Sequence, residues 1–567
     1  MKIPLRLFFL FAAAQLQFTA GANISPRNGA VLNFNQVMFE YDETLGADQY
    51  IISIYPAGGG EIITVKNSSL AFIQYNGLQF GKKYEWSYKA FKNNKPVFES
   101  AVFSFSIGAS FQTDPAFFRS VVDISEKDGY RDGVIFLDYM GMAINRKGEP
   151  VWYMPVSKDS LDNLKMRNIK MTAAGTITYL DNTDCFEKDI SGNITWKAPN
   201  DGRVSGDKQE YYHHDFFKMK DGSYITSGYR FVNEPNFYNN SVTAKVRYNT
   251  LIQYNNNKEI LWWWDESKHA DKRSLYGDSG GEAIEVAGTH LNGVAYYEPD
   301  DAFILSFRDN SSILKVSHKT GEVLYNLGDS LMKITPGELP FVNQHGPSLL
   351  RNGAIVVYNN NLNKSGRISK ASYPIVRVFS QPRPGKQSEK IWEYECVSDK
   401  YPDGIFGKEG YASQLPYSDN LLVCMGGANY LFEVTPGKKV VWQCSLQQFD
   451  MGTGQWSNIN NYRCSYAASL YPCYFTLQQA VFYHTKDNTP ALSFRINNEG
   501  TNDNSFVAEV KDEKGRLIKK SSSGIIAAGK NEVIRIEIPE QHNTVTVTVY
   551  PVGNKDLVRE LRLKKNK

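Results

Sequence analysis

The sequence contains few cysteines, and none precedes Cys185. The other five are Cys396, Cys424, Cys444, Cys464 and Cys473. No two have the CxxC spacing that is typical of a zinc or redox site. An even number of cysteines in an exported chain favours disulfides, although six allow about 15 pairings. We therefore expect structural disulfides in the last third of the chain, and Cys464 with Cys473 would close a short loop.

Long apolar runs are also missing after the N-terminus. Lys2 and Arg6 precede the run LFFLFAAA, and small residues follow around Ala20. This is the pattern of a cleaved secretory signal, which we assign to residues 1–22. The run is much shorter than the roughly 20 residues that cross a bilayer. The sequence thus predicts a periplasmic or otherwise exported protein without a membrane span.

The charge is balanced, because 63 basic and 60 acidic side chains give a net charge of only +3. Without a basic stripe, nucleic acid is not an expected partner. Long stripes with helical period are scarce, whereas glycine, aromatic and β-branched residues are abundant. The composition therefore predicts an all-β protein.

The order of these β-rich segments divides the chain into three domains. Short alternating runs such as YIISIYP and YEWSYKAF predict an N-terminal β-sandwich of the immunoglobulin or fibronectin kind over residues 23–108. Residues 109–475 carry a repeated unit, and residues 476–567 form a small C-terminal β domain.

The repeated unit ends in a small turn followed by a strand with an aromatic residue. These six aromatic residues are Trp152, Trp196, Trp263, Tyr325, Trp392 and Trp442. A hairpin precedes each of them, so a unit contains four strands. Six such units predict a six-bladed β-propeller. The segment NYRCSYAASLYP, residues 461–472, resembles an inner strand without its own blade, and we expect it to close the ring by pairing with the first unit.

Three histidines begin inner strands of consecutive units. His214 and His345 each lie eight residues before a turn glycine, and His290 begins a looser copy of the same hairpin. Inner strands of a propeller begin at one rim, so the three imidazoles should converge. Arg308 ends the strand that returns to His290, and Asn292 should share the face of His290 because side chains alternate along a strand.

The neighbours of His214 have less specific interpretations. In a regular strand His213 would point to the opposite face and be structural. Asp215 could orient an imidazole or bond within its hairpin.

The cation Arg308 argues against a metal among the three histidines, because it would repel the ion. We therefore expect neither a metal nor a cofactor. An imidazole nucleophile, donor imidazoles and a guanidinium suit the transfer of a tetrahedral anion.

The motifs HHD, THLNG, SFRDNSSI and NQHGP, on six units behind a signal peptide and a small β domain, resemble the bacterial aryl-sulfate sulfotransferases over roughly residues 30–475. The resemblance implies a PAPS-independent enzyme that moves a sulfuryl group from a phenolic sulfate ester to a phenol. It implies a ping-pong mechanism through a sulfohistidine at His345, with His214, His290, Asn292 and Arg308 binding the sulfate. His290 or His214 would also assist proton transfer. The C-terminal domain is an addition to the familiar layout.

Two alternatives remain open at this point. One is a quinone- or metal-dependent propeller oxidoreductase, whose repeats also pair a turn glycine with tryptophan. The other is a non-enzymatic ligand-binding propeller. The expected partners of the transferase are a small phenolic sulfate donor and a phenol acceptor, and a homodimer is possible through the small domains.

Overall fold

The fold is seen in a computed structural model, which describes residues 24–156, 166–276, 279–327, 332–333, 340–361, 373–397, 408–428, 430–539, 542–555 and 557–564. The signal peptide assigned to residues 1–22 lies outside this described part. The described part is all-β, as the composition predicts, and its one α-helix is α1, Lys272–Tyr276.

The N-terminal region contains two sheets. Its strands are β1 (Ala30–Leu32), β2 (Val37–Glu40), β3 (Gln49–Pro56), β4 (Ile63–Asn67), β5 (Ala71–Gln74), β6 (Lys83–Lys92), β7 (Lys95–Glu99) and β8 (Phe103–Ile107). One sheet has the order β1-β8-β6-β3-β4 with β7 beside β6, and the other pairs β2 with β5. Burial alternates along β3, as expected for a strand with one face in a core. The immunoglobulin or fibronectin class and the boundary at residue 108 stay predictions.

The middle of the chain forms six successive sheets, numbered 1 to 6 in chain order. A linking strand, β9 (Phe118–Ser125), comes first. Sheet 1 contains β10 (Val134–Leu137), β11 (Met142–Asn145) and β12 (Pro150–Tyr153). Sheet 2 contains β13 (Met166–Met171), β14 (Ile177–Asp181), β15 (Asp184–Lys188) and β16 (Ile194–Lys197). Sheet 3 contains β17 (Tyr212–Lys218), β18 (Tyr224–Asn236), β19 (Asn239–Tyr254) and β20 (Ile260–Asp265). The short strand β21 (Glu285–Val286) pairs with β19.

Sheets 4 to 6 repeat the pattern. Sheet 4 contains β22 (Leu291–Tyr297), β23 (Ala302–Phe307), β24 (Ser312–Ser317) and β25 (Val323–Leu327). Sheet 5 contains β26 (Met332–Lys333), β27 (His345–Leu349), β28 (Ile355–Asn359), β29 (Ile375–Phe379) and β30 (Ser388–Glu395). Sheet 6 contains β31 (Tyr411–Gln414), β32 (Leu421–Cys424), β33 (Tyr430–Val434), β34 (Val440–Asp450) and β35 (Gln455–Asn458). Second strands such as β23, AFILSF, are buried throughout because neighbouring sheets cover both faces. The six aromatic residues of the repeat all lie in fourth strands, as predicted.

The first strands of the sheets contact one another in sequence. β13 contacts β17, β17 contacts β22, β22 contacts β27, and β27 contacts β31. The strand β36 (Cys464–Ala467) pairs antiparallel with β10 and so becomes the innermost strand of sheet 1. Because β36 also contacts β13 and β32, it completes a closed, propeller-like ring. The prediction that residues 461–472 pair into the first unit is confirmed.

A second set of contacts joins sheets 6 and 1 on their outer side. β9 adds to the edge of sheet 6 by pairing with β34. The indole of Trp442 donates to the Arg146 carbonyl at 2.7 Å, and the Arg146 guanidinium pairs with the buried Glu433 carboxylate. Segments from both ends of the repeat region therefore hold the ring closed, which keeps residues distant in sequence together at its centre.

The C-terminal region also consists of two sheets. Its strands are β37 (Phe475–His484), β38 (Pro490–Asn498), β39 (Phe506–Lys511), β40 (Leu517–Ser522), β41 (Asn531–Glu537), β42 (Thr544–Pro551) and β43 (Arg559–Lys564). They pair as β37-β38-β41 and β40-β39-β42-β43. Arg559 forms an ion pair of 2.8 Å with Glu40, so this region contacts the N-terminal one. The boundary at residue 475 stays a prediction.

The disulfide prediction is wrong, because all six cysteines are free and buried. Cys464 lies in β36, and its thiol is hydrogen-bonded to the thiol of Cys424 in β32. It forms no disulfide with Cys473. Burial raises the pKa of the Cys473 thiol to about 11, which disfavours the thiolate. In the described part of the chain no helix is long and apolar enough to cross a membrane.

Candidate active site

A backbone irregularity recurs where the first strands begin. Asn168, His214, His290 and Gly346 have φ angles of 57°, 58°, 61° and 47°, in sheets 2 to 5. The strand register shifts at each of these places. Such bulges break the two-residue alternation and re-aim side chains, which explains why they are frequent beside active sites. Left-handed conformations are uncommon in residues other than glycine, so two histidines there indicate a built feature.

The three histidines converge as the sequence predicts. The Nε2 atoms of His214 and His290 are 3.1 Å apart. The ring of His214 lies 5.0 Å from that of His290 and 6.3 Å from that of His345, measured between centroids. Residues separated by 131 positions in the chain therefore form one cluster at the centre of the ring.

His345 is buried, and one of its nitrogens is already occupied. Its Nδ1 lies 2.7 Å from the Gly410 carbonyl. A carbonyl only accepts hydrogen bonds, so Nδ1 carries the proton and Nε2 keeps its lone pair. Burial, reinforced by the nearby Arg463, holds the pKa of His345 well below its usual range. The imidazole is thus a neutral base with a free Nε2, as a nucleophile requires.

His290 and Arg308 lie at the open side of the cluster. Their side chains are 34% and 31% exposed, whereas His345 is buried. The Arg308 amide donates to the His290 carbonyl at 3.0 Å, which places the end of β23 beside the start of β22. The Arg308 guanidinium pairs with Asp309 at 2.9 Å. The strand geometry predicted for Arg308 is therefore observed.

Asn292 does not share the face of His290, and this expectation is corrected. The bulge after His290 turns the Asn292 side chain inward, where it is fully buried and donates to the Gln344 carbonyl at 2.7 Å. Asn292 therefore anchors the peptide that precedes His345. Its own amide oxygen has no hydrogen-bond partner.

The interpretation of His213 is also corrected. The bulge at His214 brings both rings to the same side, so that Nδ1 of His213 lies 2.8 Å from Nδ1 of His214. His213 stacks on Tyr229 with centroids 3.9 Å apart, and its Nε2 lies 3.1 Å from the Gly228 carbonyl. Burial lowers the pKa of His213 to about 3, so the ring is neutral.

Arg463, which the sequence did not single out, lies buried directly beneath the histidines. Its Nη1 donates to Asp215 at 2.8 Å and its Nη2 to the Asn292 carbonyl at 2.7 Å. Asp215 also accepts from the Asn168 amide at 2.7 Å and from the Val294 backbone at 2.7 Å. Within the hairpin the Asp215 backbone N–H donates to the Ser227 hydroxyl at 3.3 Å. The Asp215 carboxylate does not orient an imidazole, but joins sheets 2, 3 and 4 to the closing strand.

Tyr462 occupies the centre of the cluster and was also missed. Its ring lies 5.0 Å from His345 and 6.1 Å from His214, and the Arg167 guanidinium lies 5.6 Å above it. The Tyr462 hydroxyl and the Nε atoms of Arg167 and Arg463 are buried without a hydrogen-bond partner. Buried donors without acceptors cost about 1–3 kcal/mol each, so the site is built to receive acceptor atoms.

The electrostatic character of the cluster suits an anion. Arg308, Arg463 and Arg167 surround neutral imidazoles, and the unsatisfied donors point to a ligand rich in acceptor oxygens. Within the described ranges no group of three or more His, Cys, Asp or Glu side chains has the geometry of a metal site.

The fold and site together define an all-β, β-propeller-like protein whose ring centre holds histidines and guanidinium groups suited to an anion. Comparison with protein families is specific: the arylsulfotransferase (ASST) family model matches residues 125–463, more than half of the chain. The chain therefore belongs to the arylsulfotransferase family, which supports an aryl sulfotransferase activity in general terms. A search of curated proteins finds no match.

Solved structures resemble the chain only distantly. A protein of unknown function from Bacteroides caccae is 12% identical, with a TM-score of 0.35, over 59% of this chain and 98% of that one. The extracellular domain of a putative hybrid two-component system from B. thetaiotaomicron is 10% identical, with a TM-score of 0.31, over 94% and 58%. A dihydro-heme d1 dehydrogenase is 9% identical, with a TM-score of 0.27, over 87% and 76%.

Proposed function

We propose that the protein transfers a sulfuryl group from an aryl sulfate to a phenol through a covalent sulfohistidine at His345. The observation that carries this proposal is the position of His345. Its Nδ1 donates a hydrogen bond to the Gly410 carbonyl. Its ring lies beside the imidazoles of His214 and His290 and beside buried donors that have no hydrogen-bond partner. Family membership supports this function over the oxidoreductase and the ligand-binding propeller, neither of which gains a specific observation.

The transfer takes place in two balanced half-reactions. In the first, the Nε2 lone pair of His345 forms a bond to sulfur while the bond from sulfur to the aryl oxygen breaks, and that oxygen leaves with the bonding electrons. In the second, the oxygen of a phenol forms a bond to sulfur while the bond to Nε2 breaks. The phenol loses its proton and His345 returns to its neutral state. Nδ1 keeps its proton throughout and donates to Gly410.

The surrounding donors stabilise the charge on the transferred group. Arg308 at the open side contacts the equatorial oxygens, and the unpaired Tyr462 hydroxyl and Arg167 Nε supply further donors. His214 and His290 complete the shell beside His345. Asn292 acts through the main chain, because its amide fixes the Gln344 carbonyl next to the nucleophile. Preorganised donors of this kind lower the barrier where charge develops.

Several finer assignments belong to the same proposal. We interpret the six sheets as the six blades of a propeller, supported by the closing contacts of β36. We further propose small phenolic substrates, an exported location and no required cofactor. A homodimer through the small domains stays open to a direct measurement of mass in solution.

Intact-mass analysis after mixing with 4-nitrophenyl sulfate tests the proposal. The expected result is the added mass of one SO₃ group, mapped to the peptide that contains His345 and removed when a phenol is supplied. His484→Ala is the matched control, because His484 is exposed in the C-terminal region. An adduct on another residue, or nitrophenol release without any adduct or acceptor requirement, would refute the covalent role of His345.

A further inference from the structure

His213 continues the histidine cluster into the interior. It forms a chain of three rings with His214 and His290, in which neighbouring nitrogens are 2.8 Å and 3.1 Å apart. The chain ends at the Gly228 carbonyl, 3.1 Å from Nε2 of His213. At the other end, Nδ1 of His290 lies 3.8 Å from the Asp309 carboxylate.

The carbonyl at the inner end determines where every ring proton sits. Because a carbonyl only accepts, Nε2 of His213 carries the proton and its Nδ1 has the lone pair. His214 must then donate from Nδ1, which leaves its Nε2 as an acceptor. His290 in turn donates from Nε2, so its Nδ1 carries a lone pair. Burial lowers the pKa values of His213 and His214, which keeps both rings neutral.

We propose that His213 is a positioning residue that sets this proton order and so makes Nδ1 of His290 the base that receives the proton of the phenol acceptor. The inference rests on the proposed sulfuryl transfer. With the opposite order, Nδ1 of His290 would already carry a proton and could not accept another. The direction of the chain therefore decides whether the exposed imidazole serves as a base.

The proton balance closes over one catalytic cycle. As the phenol oxygen bonds to sulfur and the bond from sulfur to Nε2 of His345 breaks, the O–H electrons remain on oxygen. The proton moves to Nδ1 of His290. The resulting imidazolium keeps its Nε2 hydrogen bond to His214 and faces the Asp309 carboxylate. In the next turnover the departing aryl oxygen takes this proton back, so no external acid or base is consumed.

Several charged groups face the two end rings. Burial lowers the pKa of His290, Arg308 and Arg247 act in the same direction, and the Asp309 carboxylate opposes them. Around His213 the cations are Arg247 and Arg167, and the neighbouring His290 opposes its protonation as well. These surroundings make His290 the ring in the chain with a carboxylate partner, and hence the one suited to take up a proton.

Two variants of His213 separate its hydrogen bonds from its packing. His213→Phe keeps an aromatic ring against Tyr229 but removes both nitrogens. His213→Asn places an amide oxygen near the position of Nδ1, so it can still accept from His214. We expect the Phe variant to lose about 10²-fold in transfer to phenols that are neutral at the assay pH, the contribution of a general base. Asn should restore most of this loss.

The choice of phenol acceptor distinguishes a positioning role of His213 from a general loss of protein stability in His213→Phe. A phenol that is already ionised at the assay pH needs no base, so its transfer rate should be nearly unchanged in His213→Phe. Formation of the SO₃ adduct from 4-nitrophenyl sulfate should also persist. An equal loss for ionised and neutral acceptors, or no loss for either, would overturn the proposal.

The tautomers can be read directly from ¹⁵N NMR of the histidine-labelled wild-type protein. The expected spectrum shows protonated Nε2 and unprotonated Nδ1 for both His213 and His290, and the reverse for His214. Protonation of His290 at Nδ1 in the resting protein would overturn the inference. This measurement stands even if His213→Phe fails to fold. An absence of the SO₃ adduct in the wild-type protein would instead contradict the proposed function.

Discussion

Two layers of the ring centre differ sharply although the same strands build them. The first layer, the mouth, consists of His214, His290, His345 and Arg308. The second, the hub, consists of Asn168, Lys170, Asp215 and Arg463. Chain neighbours fall into different layers, since His214 belongs to the mouth and Asp215 to the hub.

The two layers differ in how their central group is paired, although in the hub the Nε of Arg463 and the amide oxygen of Asn168 also lack a partner. Asp215 accepts from three groups and lies 3.6 Å from the Lys170 ammonium, so its charge is compensated in every direction. At the mouth, Nε2 of His345 has no described partner, and neither has the hydroxyl of Tyr462, whose ring lies 5.0 Å from that of His345. Saturated polar networks rigidify a core, whereas unsatisfied buried donors favour a ligand. We therefore expect the hub to stabilise the fold and the mouth to carry out the transfer. Variants should separate these two roles.

The largest effect is expected from His345→Ala at the mouth. Losing the nucleophile should lower transfer by more than about 10⁴-fold, as loss of a nucleophile does in other covalent enzymes. The free energy of unfolding should fall by about 1–3 kcal/mol, since the Gly410 carbonyl loses its buried partner. Steady-state transfer and urea unfolding measure the two quantities. Substantial residual transfer in this variant would place the nucleophile elsewhere.

The hub should show the opposite pattern. Arg463→Met leaves the buried Asp215 carboxylate without its closest cation, and removing one partner of a buried pair costs about 3–5 kcal/mol. Urea or thermal unfolding measures the loss. Arg203→Met is the control, because its pair with Asp201 is exposed at 54% and 44%. If Arg463→Met costs as little as this surface pair, the hub does not hold the ring together.

Arg308→Gln should weaken catalysis without weakening the fold. The guanidinium is partly exposed and pairs with an adjacent carboxylate, so its removal should hardly change the unfolding midpoint. Removing one anion contact should cost about 10²–10³-fold in kcat/KM for the aryl sulfate. Arg308→Lys should recover part of this activity, because it keeps the charge but not the two-pronged geometry. Equal activity of Gln and wild type would remove Arg308 from the site.

The sequence predicted the ring and the histidine cluster for a clear physical reason. Turn glycines and outer-strand aromatics recur at every unit, and His214 and His345 share one spacing to their turns. This periodicity is sufficient to infer which strand ends meet. The closing strand was also predictable, because residues 461–472 look like an inner strand without its own blade.

The sequence did not predict which side chains share a face near the bulges. Alternation placed His213 away from the site and Asn292 beside His290, and both expectations failed where the register shifts. Arg463 and Tyr462 were missed because their strand gives no sign of what it packs against. A signal was present, however: Arg463 directly precedes the predicted closing strand at the ring centre, where a buried arginine needs a partner of opposite charge. Cysteine parity misled, because all six thiols are free and buried, and even the adjacent Cys424 and Cys464 form no disulfide.

The smallest effect concerns acid stability and compares His213, which adjoins the mouth, with an exposed histidine. Burial lowers the pKa of His213 to about 3, whereas an unfolded histidine has a pKa of about 6.5. Below pH 6.5 the unfolded chain therefore binds a proton that the folded protein does not. His213 thus destabilises the fold progressively as the pH falls from 6.5 towards 3, by up to about 1.4 kcal/mol per pH unit.

Urea unfolding between pH 7.5 and pH 4.5 measures this contribution as a difference between variants. The pKa of Asp138, raised by burial to about 7, acts in the opposite direction in this window, and the comparison cancels it. His213→Phe should make the loss of stability with acid shallower by up to about 1.4 kcal/mol per pH unit, and His484→Phe, at an exposed site, is the control for the substitution itself. Parallel curves for wild type and His213→Phe would mean that His213 is charged in the fold, which its burial opposes.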